Sequence, residues 1–340
     1  MRMAAVIDAT VKKPGLEDLT IYRTTASVPF AGRYRLIDFT LSNIVNSNIN
    51  SVGVFATYPF VSLLDHIGMG KNWDLDRRKD GLYFLPISQK AGGQITVGSF
   101  AALEEHMDFF NKSRQDYIVV TTCSTVCQID YEDMLDAHIT SGVDIMEAVS
   151  GETGLSNYIL KKSLLKELIR THREKRIISV EDVVKLKKAP YTFGKYEYTG
   201  YYAIIDSMES YFQASMDLLE KDKRNELFLS NRPIYTKVKD EPPTRYMPGS
   251  HVTQSLIANG STIEGTVDNS IISRAVSVNQ SSRVDHCVIM QKSFIEKNCE
   301  LSYVIADKDV HIEEGVVLKG TPEKPVVLRK GERVTKEEVR

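Results

Sequence analysis

Three arginines, Arg23, Arg33 and Arg35, stand close together around the string PFAGRYR. A guanidinium offers paired donors in a fixed plane, so arginines placed this way suit a phosphate. The competing reading is a surface salt-bridge cluster with the nearby Asp38. A second candidate is the stretch TTCSTVCQIDY at 121–131, which follows the apolar run YIVV at 117–120. The end of such a strand is where a phosphate-handling sheet enzyme would hold a metal ion on a carboxylate. No acid stands there before Asp130, and Asp130 opens DYEDML, which has the form of a helix N-cap followed by early acids. Asp8, directly after the run AVI, and Asp206, after the run AII, are further carboxylates in such positions.

The remaining reactive side chains are scattered. Cys123, Cys127, Cys287 and Cys299 match no zinc spacing and are too few for a disulfide framework, so they read as buried free thiols in a reducing compartment. His66 and His138 fall in helical stretches, and His286 and His311 in the C-terminal tail. Trp73, in the charged string GKNWDLDRRKDG, either packs under its loop or touches a partner.

The elements that must position these groups follow from hydrophobic periodicity. The 340 residues suggest about two domains. A formal net charge of −2 argues against a broad nucleic-acid surface. No apolar run approaches the ~20 residues of a membrane span, and the N-terminal apolar segment reads as a first strand, not a signal peptide. Strand candidates at 3–7, 52–57 and 117–120 alternate with helical patterns over DFTLSNIVNSNI, 98–112 and 131–141. This is a doubly wound α/β pattern, whose ligands bind outside the carboxyl ends of the strands. Helical patterns at 162–174 and 207–219 follow, and then a breaker-rich linker containing Pro233, Pro242, Pro243 and Pro248.

Beyond residue 250 apolar residues recur at six-residue intervals: Ile257 and Ile263, Val278 and Val284, Ile289, Ile295 and Leu301, then Val304, Val310 and Val316. Turn-formers between such hexads indicate a parallel β-helix; an irregular antiparallel sandwich is the alternative. The expected domains are an α/β domain at 1–231, a linker at 232–249 and a β-helix at 250–340.

The strings SVPFAGRYRLIDFTLSNIVN, ATYPFVSLLDHIG and GYYAIIDSMESYFQASMDLL, in this order and followed by a hexad tail, resemble the ADP-glucose pyrophosphorylases (glucose-1-phosphate adenylyltransferases). The resemblance implies a Rossmann-like nucleotidyltransferase domain with a doubly wound, mostly parallel sheet, and a C-terminal left-handed β-helix. In that family glucose 1-phosphate attacks the α-phosphorus of ATP with the help of Mg²⁺, and the protein supplies positioning and charge neutralisation. This chain departs from the family at each of those parts. The glycine-rich phosphate loop is replaced by DATVKKPGLEDL, with Gly15 alone and with Asp8 and Glu17 adding negative charge. Thr25 occupies the position of a phosphate-contacting lysine, Ser124 and Ile204 those of two metal-binding aspartates, and Ala101 that of another aspartate. Between Met146 and Tyr158 the chain is also shorter than the family pattern.

Within the family this pattern looks like the GlgD-type, non-catalytic subunits. The resemblance then implies a regulatory, catalytically deficient cytoplasmic subunit that has lost Mg²⁺ and assembles with a catalytic homologue as a heterotetramer in glycogen biosynthesis. It also implies that basic residues at Arg23 and Arg35, with Arg33 beside them, bind an anionic sugar-phosphate effector. Two alternatives stand beside this: a slow but active adenylyltransferase using Asp8 or Asp206, and a homo-oligomeric sugar-phosphate sensor.

Overall fold

Apolar runs that parallel strands need when both sheet faces are covered form the centre of a seven-stranded sheet. The computed structural model describes residues 3–88 and 96–336. The strands lie in the order Phe193–Glu197, Ile145–Ser150, Thr153–Lys161, Tyr117–Thr122, Met3–Asp8, Ser51–Ala56, Gly81–Pro86. Only Thr153–Lys161 runs antiparallel to its neighbours. Alternation along Met3–Asp8 sends Ala5 and Ile7 to one face and Ala4 and Val6 to the other. The first face is covered by helices Leu36–Asn46 and Tyr131–Ser141, through Leu41, Ile44 and Met134. The second is covered by helix Lys162–Lys175, through Leu165, Leu168 and Ile169.

From Met3–Asp8 the chain builds outward through Ser51–Ala56 and Gly81–Pro86, then returns to add Tyr117–Thr122 on the other side. The order therefore reverses between Met3–Asp8 and Tyr117–Thr122, and a ligand crevice is expected outside the carboxyl ends of these two strands. The region that is short relative to the family forms a continuous hairpin, with Ser150 paired to Thr153. The single helix predicted over 98–112 is broken into Phe100–Glu104 and Met107–Lys112. At the break the His106 ring leaves the helix line, bonds the Pro86 carbonyl at 2.8 Å and packs edge-on to Phe55.

The C-terminal part is a triangular coil of the left-handed β-helix type, with three parallel sheets. Ile263, Val278, Ile295 and Ile312 stack inside one side, Val267, Val284, Leu301 and Leu318 inside the second, and Ile272, Ile289, Ala306 and Leu328 inside the third. Early turns of the coil are shorter than the ~18 residues of three full hexads, which explains the slipping phase of the sequence repeat. The coil opens at Arg245–Tyr246, inside the segment read as linker, because the Arg245 amide already bonds the Ser261 carbonyl at 2.9 Å. Its prolines stand outside that short strand, where no ladder bond is needed. The rest of the presumed linker is bound to the first domain, with Arg232 on Asp130 at 2.5 Å and the Tyr235 amide on Ser42 at 2.8 Å.

The two domains share one core. Val288, Met290 and Ile305, outward-facing on the third sheet of the coil, pack in the same cluster as Leu16, Tyr211 and Phe212.

Candidate functional site

Strand Tyr117–Thr122 ends in the turn that carries Ser124, and the chain continues as Thr125–Cys127, paired antiparallel with Tyr202–Ile204. Ile204 lies opposite Thr125, and the Ile205 amide donates to the Ser124 carbonyl at 2.7 Å. The two positions that the family pattern assigns to metal-binding aspartates are thus neighbours in space. The backbone that would place two carboxylates side by side is present, but the side chains are a buried hydroxyl and a half-buried aliphatic group. A hard divalent cation needs several oxygen ligands, usually anionic ones, so these residues do not fit Mg²⁺. Among the described residues no cluster of three or more His, Cys, Asp or Glu is arranged to hold a metal.

The phosphate loop has been rebuilt from within. Asp8 is 2% exposed at the end of the first strand, and its carboxylate accepts from the Thr10 amide and hydroxyl and from the Gly98 amide. Burial raises its pKa, while these hydrogen bonds work in the opposite direction. Its oxygens are already engaged, so it is poorly placed to serve as a substitute metal ligand. Asp206 is exposed and accepts from the Ser210 hydroxyl at 3.2 Å. Gly15 answers a packing need: a Cβ there would lie 2.6 Å from the Asp206 carbonyl oxygen. Thr25 sits in the 3₁₀ turn Thr25–Ser27 with its hydroxyl 3.4 Å from the Val11 carbonyl, a neutral group beside a cavity of about 370 Å³.

The three arginines divide. Arg23 is 3% exposed, and both its terminal nitrogens donate to Asp307 at 2.8 Å, a buried bidentate pair that joins the two domains. It is therefore already neutralised, contrary to its expected place among free anion ligands. Arg33 and Arg35 instead line an interdomain cavity of about 240 Å³. The hairpin pairing Pro29–Phe30 with Tyr34–Arg35 presents them, and Arg35 is fixed by donating to the Ser62 carbonyl at 2.6 Å. The connecting segment adds Lys237 and Lys239, and the coil adds Arg274, Lys292 and Lys308.

Those last three come from successive corners of the coil, stacked by bonds from the Lys292 amide to the Arg274 carbonyl and from the Asp309 amide to the Gln291 carbonyl. Sequence reading missed these three; the signal that could have found them is their recurrence at about the length of one coil turn. Seven cationic side chains line the cavity with Asp65 and Asp309; Asp65 is engaged by Lys237, and Asp38 and Glu241 act on Arg35, Arg274 and Lys239 from just outside it. Burial lowers the pKa of Arg35 to about 10, pushes Lys308 down to about 7, and lowers Lys239 and Arg274. Cations thus outnumber acids along this concave wall.

Other groups have structural roles. Asp130 caps helix Tyr131–Ser141 by accepting from the Glu132 amide, as its sequence context predicts. All four cysteines are buried and unpaired. His286 pairs with Asp285 at 2.9 Å and His311 with Glu296 at 2.6 Å. Trp73 is buried under its own loop, edge-on to the His66 ring, whose Nε2 is 2.5 Å from Asp38. No helix among the described residues is long and apolar enough to cross a membrane.

Comparison with known proteins agrees with this architecture. Residues 15–194 match the nucleotidyl transferase family, and residues 242–331 match the GlmU-like C-terminal hexapeptide family. The glycogen biosynthesis protein GlgD of Bacillus subtilis (strain 168) is 46% identical over 330 residues, covering 97% of this chain and 96% of that protein. The GlgD protein of Geobacillus stearothermophilus is 48% identical over 331 residues, with 97% and 96% covered. The glucose-1-phosphate adenylyltransferase of Bacillus mycoides (strain KBAB4) is more distant, at 28% over 363 residues and 96% of each chain. The chain belongs to the GlgD family of glycogen biosynthesis proteins, built on a nucleotidyl transferase domain and a hexapeptide coil and related to the glucose-1-phosphate adenylyltransferases.

Proposed function

We propose that this chain is a regulatory, catalytically deficient subunit that assembles in the cytoplasm with a catalytic glucose-1-phosphate adenylyltransferase homologue and tunes its response to an anionic sugar-phosphate effector. The observation that carries this reading is a contrast within one molecule. The metal-site scaffold holds Ser124 and Ile204 in place of acids, while the interdomain pocket keeps Arg33, Arg35 and five further cations.

A bound metal contributes several kcal/mol of transition-state stabilisation, and each 1.36 kcal/mol is tenfold in rate. Loss of both carboxylates therefore removes several powers of ten, which disfavours the slow-enzyme alternative, as does the internal engagement of Asp8. The test is to mix the purified chain with the catalytic homologue. Co-elution as a hetero-oligomer is expected, with a changed effector response in pyrophosphate release from ATP and glucose 1-phosphate. Separate elution with unaltered kinetics refutes the proposal.

A further inference from the structure

Lys308 stands where the two halves of the cationic pocket meet. Its backbone amide donates to Asp307 at 2.7 Å, but that carboxylate is held by Arg23. Among the described residues the Lys308 amine makes no hydrogen bond or ion pair of its own. Charged groups face it from every neighbouring element. The hairpin supplies Arg33 and Arg35, with Arg23 behind Asp307, and the connecting segment supplies Lys237 and Lys239. Adjacent corners of the coil supply Arg274, Lys292 and Asp309, and helix Val61–Ile67 supplies Asp65 and His66. Tyr34 completes the wall, with the Arg33 guanidinium 5.3 Å from its ring centre.

An amine so placed lacks the acid that would keep it charged. Burial, then Arg35 and Arg23, push Lys308 down to about 7 against the pull of Asp307. Lysine yields to such surroundings where arginine keeps its charge. An anion entering the pocket reverses the balance, because a negative charge at contact distance favours the ammonium form.

We propose that this chain takes up its anionic effector together with a proton, which moves from solvent to the Lys308 Nζ. The proposal rests on the reading of the pocket as an effector site and adds its regulation: the same effector concentration fills the pocket more completely as pH falls. The sign follows from the free amine. Below about 7 it is already charged and binding is at full strength. Above that, each binding event must recruit a proton, so affinity declines by up to tenfold per pH unit.

Inorganic sulfate is the probe, since its charge is constant over this range. The chain's single tryptophan, Trp73, lies 6.0 Å from the His66 ring that lines the pocket and reports binding by fluorescence. Sulfate should bind roughly tenfold more weakly at pH 8 than at pH 6. Calorimetry at pH 7 in two buffers of different ionisation enthalpy should find about half a proton taken up per sulfate. Lys308→Arg should bind sulfate at every pH about as tightly as the native chain does at pH 6, losing both the pH slope and the proton uptake, whereas His311→Gln, outside the pocket, should keep both. An unchanged slope in Lys308→Arg, or a flat pH profile in the native chain, overturns the proposal. Absence of sulfate binding at every pH would instead remove the effector-site reading on which it rests.

Discussion

Removing one partner of the Arg23–Asp307 pair decides whether Arg23 is an anion ligand or a strut between the domains. The two guanidinium nitrogens reach separate Asp307 oxygens at 2.8 Å, and the side chains are 3% and 1% exposed. Asp307→Asn keeps the shape and leaves the Arg23 charge buried without a counter-charge. Breaking a buried pair in this way costs about 3–5 kcal/mol. At roughly 1.4 °C per kcal/mol for a chain of this size, the unfolding midpoint should fall by about 4–7 °C. Replacing both partners, Arg23→Met with Asp307→Leu, removes two desolvation penalties and should recover most of the loss, since apolar substitutes for buried pairs are often neutral or better. Thermal unfolding followed by circular dichroism, with a sulfate titration on each variant, makes the distinction. If Arg23→Met left the midpoint unmoved but abolished sulfate binding, Arg23 would be a ligand and the strut argument wrong.

Two further outcomes follow from the same structure. The double variant Ser124→Asp with Ile204→Asp should gain calorimetrically measurable Mg²⁺ binding that neither single variant shows, because the ribbon sets these positions side by side; turnover should not rise above the native chain's, since Thr25 still stands for the lysine. No gain in Mg²⁺ affinity would show that the site is lost beyond two side chains. Cys127 and Cys287 should react with an aromatic disulfide reagent at pH 8 about a thousand-fold more slowly than free cysteine, because burial pushes both to about 12, and Cys123 and Cys299, raised by burial too, should also react more slowly than free cysteine. Labelling of any of them at the free-thiol rate would contradict their placement.

Much of this architecture was legible in the sequence because it is carried by periodic apolar residues. The apolar runs at 3–7 and 117–120 read as strands of a doubly wound sheet, which the structure extends to Asp8 and Thr122, and the hexad valines and isoleucines pointed to the coil despite its short turns. Ser124 and Ile204 could be named as a pair only through the resemblance, since 80 residues separate them and no local pattern brings a strand end to a hairpin ribbon. Trp73 and Arg23 were ambiguous for a related reason. Arg23's burial depends on Asp307, 284 residues away on the coil, and Trp73's on how its own loop folds over it against His66, which a charged, turn-rich string does not announce. The pocket itself was only half visible, because Arg33 and Arg35 are local to one motif whereas Arg274, Lys292 and Lys308 become neighbours only once the coil is wound.

The two sites differ in what they ask of the fold, and that difference is informative. The ribbon around Ser124 is held at its backbone carbonyls, by the Ile205 amide on Ser124 and the Asn43 side-chain amide on Cys127, so a carboxylate could be lost there without disturbing it. The cationic pocket has the opposite economy. Holding Arg35, Arg274 and Lys308 partly out of water beside one another works against folding, in the same direction that burial moves their pKa values. An anion that enters only the folded state returns that energy through linkage, stabilising the chain by an amount that grows with its concentration. Thermal unfolding in rising sulfate checks this: if the proposed effector site takes the anion, the midpoint should climb with concentration in the native chain and less so in Arg35→Ala, and a midpoint indifferent to sulfate would count against it.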